Sequence, residues 1–194
     1  MLLIHTALLC EATPVIERYG LVRCPAFSPG RLYKGDQIEM LVGGVGSART
    51  TASIRAWRAC GSFEPGDSLL TIGVCGARPG IPRGSAFSIS EIEDAASGER
   101  FGLPDWRELG LQPGTLTTVA RPQLAPAPDG MMLVDMEAAA CMRALSHTRL
   151  HRIYCVKVVS DNMDGEPLGR AEAAALIRTA LAAVAPKLPA PRAS

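Results

Sequence analysis

The segment LVDMEAAACM, residues 133–142, sets Asp135 and Glu137 on either side of Met136 and then continues in small apolar residues. Carboxylates beside an apolar core have two common uses. They accept backbone N–H groups at turns and helix starts, or, with their proton affinity displaced by burial, they exchange protons and engage hydroxyls. Residues at i and i+2 do not share a helix face, so the two acids are expected to have separate jobs. Asp135 is expected to cap the following helix or pair with Lys157, and Glu137 to meet a ligand. Two further acids stand in comparable places: Glu11 after the apolar run HTALLC, and Asp161 in VVSDNMDG, residues 158–165. Each also has a plain reading. Glu11, ahead of ATPVIERY, suits the positive end of a helix, and Ser-Asp-Asn sequences close turns.

Alternating apolar runs and helical patterns must position these acids. Strands are expected over 2–9, 38–44, 68–74, 85–92, 115–120 and 152–160, several apolar at successive positions, as in a sheet covered on both faces. Helices are expected over 47–60, with Ser47 able to cap the start, and over 136–147 and 169–185. This alternation implies an α/β layered fold. Ligands in open α/β sheets bind beyond the carboxyl ends of strands, where Glu11, GGVGSA (43–48), GVCGARPG (73–80), VDMEAAA and Asp161 all fall. GGVGSA is a weak dinucleotide fingerprint, because Arg49 takes the third glycine position and no acidic residue follows a second strand at the required distance. The Pro-rich end, residues 187–194, reads as a frayed tail beyond one domain spanning 1–186.

A chain of 194 residues with 47% apolar residues can bury one sizeable core. Twenty basic and nineteen acidic residues give a net charge of +1 without blocks of like charge. The footprint of a nucleic-acid or membrane-surface binder is missing, and a small-molecule partner is expected. Six scattered cysteines form no CxxC pair and have no histidines at metal-ligand spacing, so most read as small core residues in a reducing cytoplasm. The opening MLLIHTALLC lacks the basic start of a signal peptide, and no apolar run approaches the roughly 20 residues that cross a bilayer. His5, His147 and His151 have no plausible nucleophile as partner, so core or surface roles are expected of them.

Taken in order, A-x-x-x-E at Ala7 to Glu11, G-x-G at Gly44 to Gly46, G-x-C-G-A at Gly73 to Ala77, V-D-M-E-A-A-A at Val134 to Ala140 and V-S-D at Val159 to Asp161 resemble the nucleoside phosphorylase/nucleosidase superfamily. The similarity is closest to the branch of 5′-methylthioadenosine/S-adenosylhomocysteine nucleosidases and futalosine hydrolases. It extends from Ala7 to about Ala185. The resemblance implies an α/β, single-domain, three-layer fold with a central mixed, barrel-like sheet, a dimer or larger homo-oligomer, and no metal or organic cofactor.

Cleaving a nucleoside's glycosidic bond develops positive charge on the ribose ring and negative charge on the departing base. The site needs an acid for the base, a group on the sugar and a nucleophile on the opposite face. By resemblance, Asp161 protonates a purine ring nitrogen with Ser160 holding its carboxyl group, and Glu11 holds and deprotonates the attacking water. Glu137 takes the ribose hydroxyls with Met136 against the sugar. An aspartate with an ordinary pKa near 3.9 is rarely protonated at pH 7, so such an acid needs burial or a proton delivered with the substrate. Gly46, Val74, Cys75 and Gly76 are expected to approach the substrate at strand ends, and a buried small thiol is an equally good reading of Cys75.

Phosphorylases of this superfamily place arginine just before G-S-x-G, and that arginine and serine bind phosphate. Here Thr71 and Val74 stand at those places. With guanidinium and hydroxyl lost, and Glu11 repelling an anion, water is the expected nucleophile; Arg49 or a neighbouring subunit's arginine would restore phosphorolysis. A noncatalytic nucleoside-binding protein is the reading from a different class. The stretch before Asp135 is short for a nucleosidase, leaving Val119 and Ala120 as the nearest backbone contacts for the base. The candidate wall for the 5′ substituent is GERFGLPDW, residues 98–106, through Phe101 and Trp106, or a partner subunit, with ordinary packing the favoured reading of both side chains.

Overall fold

The computed structural model describes residues 1–61, 63–122, 130–164 and 168–188. Its strands, in chain order, are β1 (Leu2–Thr6), β2 (Val22–Cys24), β3 (Arg31–Gly35), β4 (Ile38–Val42), β5 (Ser68–Ala77), β6 (Ala86–Asp94), β7 (Arg100–Gly102), β8 (Gln112–Thr118), β9 (Leu133–Asp135) and β10 (Arg152–Asp161). The helices are α1 (Leu9–Tyr19), α2 (Ser47–Ala59), α3 (Ala138–Leu145) and α4 (Arg170–Val184).

Five strands close on themselves. β5 runs parallel to β10, β10 antiparallel to β6, β6 parallel to β8, β8 parallel to β9, and β9 returns antiparallel to β5. The sheet continues outward from β5 through parallel β1 and β4 and then antiparallel β3 and β2, while β7 pairs with β6. β5 belongs to both parts. Its start at Ser68 to Thr71 lies against β1, and its end at Gly76 and Ala77 lies against β9.

Strand periodicity divides the core into two layers. Leu2, Ile4, Leu70 and Val156 pack with Val15 of α1 and Ile177 and Leu181 of α4. Their neighbours Leu3, Leu69 and Cys155 turn to the opposite side, with Ile54 and Trp57 of α2 and Cys141 and Leu145 of α3. Helices on both faces explain why Leu2–Ile4 and Leu69–Leu70 are apolar at successive positions. Among the described residues, no helix is long and apolar enough to cross a membrane.

Several expected boundaries shift. The run 2–9 is strand only to Thr6. Leu8 and Leu9 are 37% and 41% exposed and start α1. Strand 115–120 is observed as Gln112–Thr118, and helix 136–147 contracts to Ala138–Leu145 because Leu133 to Asp135 join the sheet. Ser47 does not cap α2. Gly46 holds the cap position, and the Ser47 hydroxyl donates to the Met136 carbonyl at 3.4 Å. Cys75, Cys141 and Cys155 are buried, whereas Cys60 is exposed and Cys10 and Cys24 are half-buried. The tail beyond Leu188 lies outside the described residues.

Candidate active site

The carboxyl ends of β1, β5, β9 and β10 meet around one cavity of about 270 Å³. Glu11, Val74, Cys75, Gly76, Val119, Met136, Glu137, Ser160 and Asp161 all line it. Gly46 does not. It acts from behind, its backbone N–H donating to Oε1 of Glu137 at 2.7 Å.

Glu11 is 2% exposed in the first turn of α1. Its Oε2 accepts the N–H groups of Ala7 and Leu8, at 3.0 and 2.8 Å, and its Oε1 accepts that of Val74 at 2.9 Å. Glu11 therefore both ties down the start of α1 and lines the cavity. β5 can come this close because residue 73 is glycine. A Cβ there would stand 3.0 Å from Oε1. Burial raises the pKa of Glu11 above the ordinary carboxylate value, against the opposing pull of the Val74 N–H and the Lys157 charge.

Glu137 is 8% exposed. Burial, and then the negative charge of Asp135, push its pKa up to about 7. Asp135 itself faces inward as a support. Its Oδ2 pairs with Lys157 Nζ at 2.8 Å and accepts the Ala138 N–H at 3.0 Å, while Oδ1 accepts the Thr118 hydroxyl at 2.7 Å. Capping the helix and pairing with Lys157 thus occur together. Lys157, 4% exposed and flanked by Val156 and Val158, supplies the one cation of this buried cluster among the described residues.

Asp161 sits at an irregularity in the β10–β5 ladder. Val159 is opposite Cys75 and Asp161 opposite Gly76, so Ser160 is the extra residue that re-aims the strand end. Asp161 Oδ1 accepts the Met163 N–H at 2.8 Å, so the turn-closing role is also present. Asn162 fixes this turn to the carbonyls of Arg78 and Ile81 at 3.1 and 3.0 Å. The Ser160 hydroxyl lies 2.6 Å from Asp161 Oδ2 and 3.0 Å from the Cys75 carbonyl. A hydroxyl has one proton and two lone pairs. With the aspartate ionised, Ser160 donates to it; with the aspartate protonated, Ser160 accepts from it and donates to Cys75. Ser160 thus has a partner for its hydroxyl on either side.

The remaining named residues take these positions. Phe101 packs against the core, Trp106 lies beneath the Arg107 guanidinium at 4.4 Å, and neither lines the cavity. Thr71 lies below the cavity with its hydroxyl 3.2 Å from His5 Nδ1. His5 is a buried core residue held neutral, its pKa pulled down to about 3 first by burial and then by Lys157. Burial raises the Cys75 thiol far above its ordinary pKa, so it is no nucleophile at neutral pH. The Val119 N–H is taken by the Asp135 carbonyl at 2.8 Å and is not free for a base. Leu8, Val45 and Met163 also line the cavity and were not expected. Val45 carries a signal, as a large apolar residue within the glycine-rich GGVGSA, whereas Leu8 is hidden in the apolar run 2–9. Residues 123–129, part of the expected base region, lie outside the described residues.

An MTA/SAH nucleosidase of Streptococcus pneumoniae, solved with 8-aminoadenine, matches with TM-score 0.79 over 96% of this chain and 99% of that one, at 17% identity. This is the nucleosidase fold. The same nucleosidase fold is seen in 5′-methylthioadenosine nucleosidase of Arabidopsis thaliana, with TM-score 0.74, 20% identity, and coverage of 96% and 91%. A futalosine hydrolase mutant of Helicobacter pylori matches with TM-score 0.77 and 15% identity, covering 96% of this chain and 99% of that chain. No family model and no curated protein matches the sequence. The closed mixed barrel that the resemblance implied is therefore present, and at these identities the likeness speaks for the fold.

Proposed function

We propose that this chain is a nucleosidase that hydrolyses the N-glycosidic bond of a purine-type nucleoside, a 5′-modified adenosine foremost. Glu137 engages the ribose hydroxyls. Glu11, held by three N–H groups, orients a water and takes its proton as the C–N bond lengthens. Asp161 protonates the departing base, and Ser160 swings its hydroxyl proton to satisfy the carboxylate that results. The products are free base and free ribose sugar.

One observation carries the choice of water over phosphate. The cavity is lined by four carboxylates, Glu11, Asp135, Glu137 and Asp161, and by no lysine, arginine or histidine among the described residues. Asp135 is neutralised by Lys157, and the lining offers an inorganic phosphate dianion no cationic partner. Such a surface suits water as nucleophile and a sugar that becomes cationic. The solved nucleosidases of the same fold support the reading, since they include complexes with 8-aminoadenine and with 5′-methylthioadenosine.

The test is a product assay with 5′-methylthioadenosine, S-adenosylhomocysteine, adenosine and inosine, each with and without phosphate. Free base with reducing sugar, independent of phosphate, is the expected result. Sugar 1-phosphate formed only with phosphate would establish the phosphorylase instead. Saturable binding without turnover, unaffected by Asp161→Asn, would establish a binding protein.

A further inference from the structure

We propose that Met163 determines which bases are accepted; this rests on the nucleosidase reading above. Its side chain closes the catalytic cavity beside Asp161 and admits bases that carry no substituent on the edge it meets. Met163 lines that cavity together with Asp161, Ser160 and Gly76.

The backbone of Met163 lies in the left-handed region, with φ 58, which few residues other than glycine adopt. Among the described residues Gln37 is the one other case outside glycine, and it stands in the hairpin turn between β3 and β4, where positive φ is the rule. No hairpin explains Met163. Its N–H donates to Asp161 Oδ1 at 2.8 Å, and the neighbouring Asn162 side chain is tied to the carbonyls of Arg78 and Ile81. A glycine would take the same backbone without strain and offer the same N–H. What methionine adds is its side chain, and strained backbone of this kind is characteristically held where a ligand is met.

Core packing does not account for that side chain. Met163 is 2% exposed, yet it belongs to neither of the two core layers. Its Cγ lies 3.1 Å from the point a Cβ on Gly76 would occupy, and Asp161 Oδ1 lies 3.3 Å from the same point. The thioether arm and the proposed acid therefore stand side by side over Gly76 in the cavity wall. With the backbone tied to Asp161 and Cγ against Gly76, only the Sδ–Cε end is free to turn.

The cavity, about 270 Å³, is at the lower end of the range of ligand pockets, about 300–1,000 Å³. In so small a space a single methyl group decides acceptance. A purine linked through N9 keeps N7 as the other nitrogen of its five-membered ring, and protonation there draws electrons from the glycosidic bond. N7 is flanked by C8 on one side and the 6-amino group on the other. The flank that faces Met163 must be bare.

The experiment compares 5′-methylthioadenosine with its 8-methyl and N6-methyl derivatives by kcat/KM, and adenine with 8-methyladenine and N6-methyladenine by calorimetric Kd. Wild type, Met163→Ala and Met163→Gly are each measured as the intact chain. The wild type is expected to disfavour at least one derivative by about 10-fold or more relative to its parent, the scale of one methyl group in a fitted pocket. Both substitutions are expected to bring that ratio towards one. Met163→Gly is expected to have a higher thermal midpoint than Met163→Ala, because the left-handed backbone strains only alanine. A wild type indifferent to both methyl groups, or discrimination that survives both substitutions, overturns the proposal. So does an equal loss on parent and derivative, the mark of a residue that only shapes the turn. A midpoint of Met163→Gly no higher than that of Met163→Ala overturns it as well, since the backbone is then unstrained, and so does a protein that neither binds base nor cleaves nucleoside. Discrimination among free bases that depends on Met163, without hydrolysis of any nucleoside, would instead leave the selectivity standing and remove the catalytic reading.

Discussion

The backbone N–H of Gly46 donates to Oε1 of Glu137 across 2.7 Å, joining residues 91 apart in the chain. The bond needs only an acceptor, whereas the carboxyl group behind it is buried and titrates near 7 in place of its ordinary 4.5. The native state therefore keeps this proton while the unfolded chain gives it up. Stability is full below about pH 4.5, falls as pH rises towards 7 and stays reduced above, by about 3 kcal/mol. Glu137→Gln preserves the acceptor and removes the titration. Its thermal midpoint is expected to exceed that of the wild type at pH 8 and to converge with it near pH 4, with nucleoside turnover reduced. Equal midpoints at pH 8 would show that Glu137 is not held protonated by the fold.

Glu11→Gln is expected to behave oppositely. Three N–H donors converge on the two oxygens of Glu11, so an amide NH2 must face a donor in either orientation. A loss of about 1–3 kcal/mol in urea unfolding is expected from the unmatched donors. A fall of at least about 100-fold in base release is expected from loss of the base. Retained turnover would remove Glu11 from the chemistry.

Asp161→Asn keeps an oxygen for the Met163 N–H but has no proton to give. Base release is expected to fall by about 100-fold or more, with a thermal midpoint close to wild type. Ser160→Ala removes the hydroxyl that answers either state of the acid and is expected to cost about 10-fold in kcat with little change in KM. Near wild-type rates in both would place the acid elsewhere.

Lys157→Met would strand Asp135, whose side chain is 1% exposed. Loss of one partner from a buried pair typically costs about 3–5 kcal/mol. Adding Asp135→Asn should recover part of that loss in denaturant unfolding, because the orphaned charge goes with it. A double variant no more stable than Lys157→Met would indicate that the pair is not what the lysine serves.

The candidate acids were legible because they stand where apolar periodicity breaks at a strand end. Glu11, Glu137 and Asp161 each interrupt a run whose other members belong in a core. Lys157 was visible for the same reason, though its pairing with Asp135 stayed one of two options. Closure of the barrel was not visible in local pattern, only through family likeness. β9 has three residues, and its pairing with both β5 and β8 is a long-range event with no signature inside LVD. β2, β3 and β7 were missed because they are short and largely exposed, so neither face shows a clean alternation. The start of α1 was hidden because Leu8 and Leu9 prolong the apolar run for a reason unrelated to the sheet. The role of Gly46 was half seen: its freedom to adopt φ +89 marks a close approach, but the approach is made to Glu137.

Residues 73–76 of β5 take part almost wholly through their main chain. Gly73 leaves space for Glu11, Val74 offers its N–H, Cys75 its carbonyl, and a Cβ on Gly76 would stand 3.3 Å from Asp161 Oδ1. The segment works as a ruler. What it transmits is spacing, so Val74 and Cys75 can be exchanged for other residues of similar size while the alignment survives. Adding or removing one residue would move each atom to the opposite side of the strand. Sequence drift is therefore cheap at this place and length drift is not, which is how a fold can persist among chains that share few letters.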